Sequence, residues 1–294
     1  MAVRSKHATR PGRRKASLPP KVMLAYGGAA VAAVLAAALV GVHVLTSPSA
    51  PVPVGPAANY AGSLELSASG AELASWNQTP SFCREVSWGV PDGAVTTAAT
   101  GDALLTTTGK PGSCVGIISP GAFSSGVVEA DIDFPALPGK PGTIADWTAL
   151  WLTDQATWPA DGEIDAVETE PATGVNAVSY HWGTRGKALE MSTDGFAPNG
   201  KIAVYGPNLT PGWHVVDVVF TKGYFAVYYD GKEFASASSP VITGSALNIL
   251  LNSSVTPDTS ALRKTIGGTP KNSDSSPATV EVKYLKVWSY SPPS

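Results

Sequence analysis

The chain reads as an all-β protein: an antiparallel β-sandwich or jelly roll, preceded by one N-terminal hydrophobic helix. Three observations predict this. From Gly62 onward segments with apolar residues at alternate positions recur, and no 3.6-residue period is sustained. Thirty glycines and 25 prolines cut the sequence into short segments, which favours many short strands over long helices. The one stretch suited to a long apolar helix lies within the first 46 residues.

Residues 1–46 carry seven basic residues (Arg4, Lys6, Arg10, Arg13, Arg14, Lys15 and Lys21) and no Asp or Glu. Val22–Thr46 is then a 25-residue run without a Lys, Arg, Asp or Glu. A bilayer core takes about 20 apolar residues as a helix, whereas the core of a signal peptide runs about 7–15. Residues 1–21 are therefore expected to form a basic cytoplasmic tail and 22–46 a signal-anchor transmembrane helix. A long cleaved signal peptide is the alternative. Basic residues ahead of the span keep the N-terminus inside, so the body lies at the extracellular face of the membrane or is secreted. Pro48, Pro51, Pro53 and Pro56 make residues 47–60 a stiff linker, and 61–294 is expected to be the folded domain.

Charge narrows the partners. Beyond residue 46 there are 13 basic against 23 acidic residues. Phosphate backbones need a basic face, so nucleic acid is excluded and a neutral polymer suits better. A monomer is expected. Cys83 and Cys114, the only cysteines, are placed to close one disulfide loop of roughly 30 residues outside the cytoplasm; two free buried thiols are the alternative. With no histidine near them they are not a zinc site.

Along the body, VVEADIDF puts Val128, Ala130, Ile132 and Phe134 on one face of a strand and Glu129, Asp131 and Asp133 on the other. GWHVVDVVF (212–220) and YFAVYY (224–229) are rich in β-branched and aromatic residues. Asp230-Gly231 predicts a two-residue hairpin turn. ALNILLN (246–252) and TVEVKYLKVW (279–288) complete the strands. Residues 183–201 and 253–278 are long and weakly patterned, as functional loops often are. A Gly-rich phosphate loop, H-E-x-x-H and G-x-S-x-G are all missing, which leaves nucleotide, zincin and serine-esterase chemistry without support.

The segment GEIDAVETE (162–170) gathers Glu163, Asp165, Glu168 and Glu170 in a chain only 15% charged. On a regular strand Glu163 and Asp165 share a face, and Glu168, five positions on, faces the opposite side. One extra residue, a β-bulge around Ala166-Val167, turns Glu168 onto the same face. The two glutamate Cα atoms then lie about 13 Å apart, and converging side chains can reach the ~5–5.5 Å separation of a retaining glycosidase. Such a trio supplies a nucleophile, a proton donor that later activates water, and an orienting acid. An acidic solvated face or a calcium site is the competing explanation, although calcium loops carry more Asp, Asn and Gly at short spacing.

EIDAVE (163–168) resembles the bulged E-[IL]-D-x-x-E signature of glycoside hydrolase family 16, on its laminarinase-like branch. WTALWL (147–152) is similar to the family's W-P-A-x-W-L, with Thr148 in place of proline. WPADGEID (158–165), SYHWG (179–183), GVVEADIDFP, the strand pair around YYDGKEF and the closing VKYLKVWSY resemble further family segments in the same order, from about residue 60 to 290. LLNSSV (250–255) departs from relatives that carry Gly-Gly after the asparagine.

The resemblance implies a sheet that binds a β-linked polysaccharide and an endo-acting, retaining hydrolase. Its site would comprise Glu163 as nucleophile, Asp165 orienting it, and Glu168 as acid/base. Trp147, Trp151, Trp158, His181, Trp182 and Glu170 are expected to touch substrate. β-1,3-Glucan is the first choice, ahead of mixed-linkage glucan and agar-type galactans. The chemistry requires no cofactor and no metal in the site; a structural calcium stays compatible. A non-catalytic carbohydrate-binding protein of the same fold and a cell-envelope transglycosylase are the rival readings. Three Asn-x-Ser/Thr sequons, at Asn77, Asn208 and Asn252, carry no functional weight.

Overall fold

The computed structural model describes residues 53, 55–76, 83, 92–154, 156–170, 175–184, 190–191, 200–206, 209–255 and 277–293. The predicted tail, the hydrophobic helix at 22–46 and half of the linker lie outside the described residues, as do most of the two long loops. Among the described residues no helix is long and apolar enough to cross a membrane.

Antiparallel pairing of short strands dominates the rest. In chain order these are β1 (Ala61–Ser69), β2 (Ala94–Thr97), β3 (Ala103–Thr106), β4 (Cys114–Phe123), β5 (Gly126–Phe134) and β6 (Ala136–Leu137). There follow β7 (Lys140–Ile144), β8 (Trp147–Thr153), β9 (Glu163–Glu170), β10 (Val175–Trp182), β11 (Glu190–Met191) and β12 (Gly200–Gly206). The last are β13 (Gly212–Thr221), β14 (Tyr224–Tyr229), β15 (Lys232–Ser238), β16 (Leu247–Ser254) and β17 (Thr279–Tyr290). One sheet runs β15-β14-β13-β5-β17-β3-β2, with β1 also paired to β17; the other runs β11-β12-β10-β9-β8-β16-β4. Neighbours in space are thus often far apart in sequence: β5 sits between β13 and β17, and β8 between β9 and β16.

The core follows from period-two patterning. Val128, Ala130, Ile132 and Phe134 of β5, with Val216 and Val218 of β13, face Leu150 and Leu152 of β8, Ile164 of β9 and Ile249 and Leu251 of β16 in one buried cluster. The far side of the eight-stranded sheet carries a second, smaller cluster, in which Val127, Val219, Ala226, Tyr228 and Trp288 pack with Ala57 of a 3₁₀ turn, Gly55–Tyr60. Between β14 and β15, Asp230 and Gly231 both take positive φ (50° and 73°). This is the predicted hairpin turn, whose backbone twist matches that of the strands it joins. Cys83 and Cys114 form a disulfide with Cα atoms 5.8 Å apart, joined at the start of β4, an edge strand of the seven-stranded sheet.

Candidate active site

The acidic strand β9 lies inside the seven-stranded sheet between β8 and β10. Its register against β8 pairs Trp151 with Asp165 and Leu150 with Val167. Against β10, Ser179 pairs with Asp165 and Ala177 with Glu168. Two residues of β9 therefore oppose one of β10, which is the bulge predicted at Ala166-Val167. Ala166 and Val167 both join the core, together with Ile164. Glu163, Asp165 and Glu168 fall on the other face.

The approach to β9 is built by Gly162. Its φ is +91°, and a Cβ there would collide with the Tyr180 hydroxyl, so the glycine of WPADGEID is required both by backbone and by space. Asp161 ties this turn down: its carboxylate accepts from Ser245 Oγ at 2.9 Å and from Thr157 Oγ1. The Tyr180 hydroxyl accepts from Thr243 N at 2.9 Å and donates to Val241 O at 3.1 Å.

Glu163 and Asp165 are both buried, at 7% and 6% exposure, and Glu168 is half-buried. Burying carboxylates demands partners. Asp165 Oδ2 accepts from Ser179 Oγ and lies 3.0 Å from His181 Nε2. The same nitrogen is 3.2 Å from Ser179 Oγ and 3.6 Å from Glu163 Oε1. His181 thus stands between the two acids, while its Nδ1 is buried without a hydrogen-bond partner among the described residues. Glu163, Asp165 and His181 are also the one group of three metal-ligating side chains found among the described residues, their ligand atoms within 4.8 Å of one another. An imidazole and two carboxylates are not the all-oxygen set that calcium takes.

The predicted aromatics divide by strand parity. Trp147 and Trp151 lie on the carboxylate face of β8, alternating with Thr148, Leu150 and Leu152. Trp151 is half-buried and donates from Nε1 to Asn252 Oδ1 at 2.7 Å; Trp147 is more enclosed, at 9% exposure. Trp158 precedes β9 in the turn with a cis bond to Pro159. It is 39% exposed, and its ring centroid is 6.3 Å from that of His181. Trp182 corrects the expectation. It is one residue from His181, so it points to the opposite side of the sheet, where it joins the core and stacks on Tyr180 at 6.1 Å. Glu170 ends β9 opposite Val175; its side chain lies outside the described residues.

Four participants escaped the sequence reading. Ser179, met there only as the first residue of SYHWG, is a partner of Asp165. Asn252, met there as a sequon and as the asparagine of LLNSSV, is 5% exposed and accepts from Trp151. Asn176 and Tyr229 meet at the bulge. For Ser179 the signal existed: it alternates with His181 on β10. Asn252 and Tyr229 reach the site from strands distant in sequence, and no local pattern marks them.

Carboxylates sharing one face of a bulged inner strand, beside tryptophans on a two-sheet all-β scaffold, are an arrangement that glycosidase chemistry uses. Residues 92–201, the stretch that contains β9, match the family model described as "XgeA-like, catalytic GH16 domain". The match covers 110 of the 294 residues and makes this stretch similar to a family 16 catalytic domain; the chain is a glycoside hydrolase. Comparison with curated proteins finds no match.

Among solved structures, the laminarinase catalytic domain from Thermotoga maritima is similar at TM-score 0.55 and 15% identity, over 77% of this chain and 97% of that one. LamA from Z. galactanivorans, in complex with laminaritriose and laminaritetraose, gives TM-score 0.52 and 15% identity over 78% and 99%. The kappa-carrageenase from Pseudoalteromonas carrageenovora gives 0.50 and 18% over 78% and 95%. At these identities the likeness is one of fold.

Proposed function

We propose that the chain is an exported, retaining endo-hydrolase of a β-linked polysaccharide, with β-1,3-glucan as its first substrate. The carrying observation is the bulge at Ala166-Val167, which brings Glu168 onto the face of Glu163 and Asp165. Glu163 attacks the anomeric carbon; Glu168 protonates the leaving oxygen, then takes a proton from the water that releases the glycosyl-enzyme. Asp165, held by Ser179 and His181, orients the nucleophile. Trp151 and Trp158 offer flat apolar faces for sugar rings, and His181 lies beside Trp158. The choice of β-1,3-glucan draws support from the bulged signature and from similarity to the Thermotoga maritima laminarinase and to LamA, solved with laminaritriose and laminaritetraose. The basic residues before Val22–Thr46 support export, with the body on the outer side of the membrane.

The test is reducing-sugar release from laminarin, mixed-linkage glucan, agarose and porphyran-type galactan, with Glu163→Gln alongside. Release from laminarin ahead of the others, β-anomer first by NMR and abolished in the variant, is expected. Glycan transfer to an acceptor without net release, or binding without turnover, would overturn hydrolysis in favour of a transglycosylase or a binding protein.

A further inference from the structure

The bulge that aligns the acids is itself held by two side chains that lie off the carboxylate face. Ala166 is the residue that β9 carries in excess of β8. Its carbonyl oxygen accepts from the hydroxyl of Tyr229. That hydroxyl in turn accepts from Asn176 Nδ2 at 2.6 Å, and Asn176 Oδ1 accepts from the backbone N–H of Glu168 at 3.1 Å. Each group in this chain gives or receives with the polarity its neighbour requires, so the amide of Asn176 has one workable orientation.

The two side chains come from different sheets. Asn176 is on β10, beside the bulge, and is 1% exposed. Tyr229 ends β14 in the eight-stranded sheet, packs its ring on Phe234 at 4.8 Å between centroids, and reaches across to β9. Burial raises its phenol well above the usual tyrosine range, so the hydroxyl keeps its proton and remains a donor around neutral pH. An ordinary core position here would hold an apolar side chain. A hydroxyl aimed at a bulge carbonyl instead spans the two residues that decide which way Glu168 faces.

We infer that Asn176 and Tyr229 are positioning residues for the acid/base: their hydrogen-bonded clasp from Ala166 O to Glu168 N–H fixes the bulge and aims Glu168 at the leaving oxygen. This rests on the hydrolase reading above. A mis-aimed Glu168 penalises leaving groups that need its proton and spares those that depart as stable anions.

The experiment compares kcat/KM, which covers events up to formation of the glycosyl-enzyme, for two aryl glycosides of a β-1,3-linked glucobiose. The phenyl glycoside needs a proton to depart; the dinitrophenyl glycoside does not. For Tyr229→Phe, which keeps the ring, the expected loss is about tenfold on the phenyl glycoside, a fraction of what a general acid contributes, with near wild-type values on the dinitrophenyl one. Asn176→Ala is expected to show the same selectivity, and the double variant to be no worse than the worse single, since both act through one chain. Either single carries the test if the other does not fold. Equal losses on both glycosides, or no loss on either, would overturn the inference while leaving the hydrolase reading intact. A wild-type chain inert toward both glycosides, and toward the polysaccharides, would overturn the hydrolase reading and the role of the clasp with it.

Discussion

Each sheet buries a carboxylate on the face turned away from the main core, and the two are treated differently. In the seven-stranded sheet Asp165 is surrounded by donors, Ser179 and His181, and Glu163 stands beside the same imidazole. In the eight-stranded sheet Asp217 is fully buried, and neither of its oxygens has a hydrogen-bond partner among the described residues. Its cross-strand neighbour is another acid, Glu129. Burial first, then Glu129 and Asp230, push the Asp217 carboxyl up to about 8, so it is protonated at neutral pH. A carboxylate kept ready for chemistry is given donors; one left among apolar side chains and a second acid keeps its proton. Burial alone therefore does not make a site. The partners do.

The largest effect is expected at the site itself. Glu163→Gln, and separately Glu168→Gln, should lower kcat on the preferred polysaccharide by roughly a thousandfold or more with the fold intact by circular dichroism; retention of a tenth of the activity in either would remove that residue from the chemistry. Next comes Gly162→Ala, which combines a left-handed backbone with a collision on Tyr180. It should cost about 2–3 kcal/mol of stability, read as a lower denaturation midpoint; an unchanged midpoint would mean that the approach to β9 is not constrained as described. Ser179→Ala takes one donor from Asp165 and should lower kcat about tenfold with KM little changed, the loss of a hydrogen bond to a charged group. If kcat holds, the contrast between the two sheets fails at its centre.

The smallest effect concerns Asp217. Its folded pKa lies above its unfolded value, so the native state binds the extra proton. Stability is then greatest below about pH 4 as far as this group is concerned, and falls as pH rises towards and through about 8. Asp217→Asn keeps the shape and cannot ionise. It should raise Tm by a few degrees at pH 9 and change it little at pH 5; an equal change at both pH values would mean that Asp217 does not carry the proton assigned to it.

Much of the fold was legible in the residues because strand parity is local. The alternation in β5, the apolar runs of β13, β14, β16 and β17, and the Asp-Gly turn each read correctly from a window of ten residues or fewer. The weakly alternating β1, AGSLELSAS, and the two- to five-residue strands β2, β3, β6 and β7 offered too few apolar positions for a period to register. At the site, parity placed Glu163 and Asp165 together and called for the bulge that rejoins Glu168. The same parity argues that Trp182, next to His181, must turn into the core. The expectation for Trp182 followed a resemblance instead of the pleat, and the pleat decided.

What the sequence determined by itself, then, is everything that depends on neighbours along the chain: an all-β body, the carboxylate face of β9, the position of its bulge and the glycine before it. What only the tertiary structure decided is which distant strands surround that face. Asn252 arrives from β16, some 90 residues after Glu163, and Tyr229 arrives from the other sheet. Ladder order and sheet stacking bring them there. Those are set by the packing of the whole core, in which each strand's partner is chosen by the surface all the strands bury together, and no short window of sequence contains that choice.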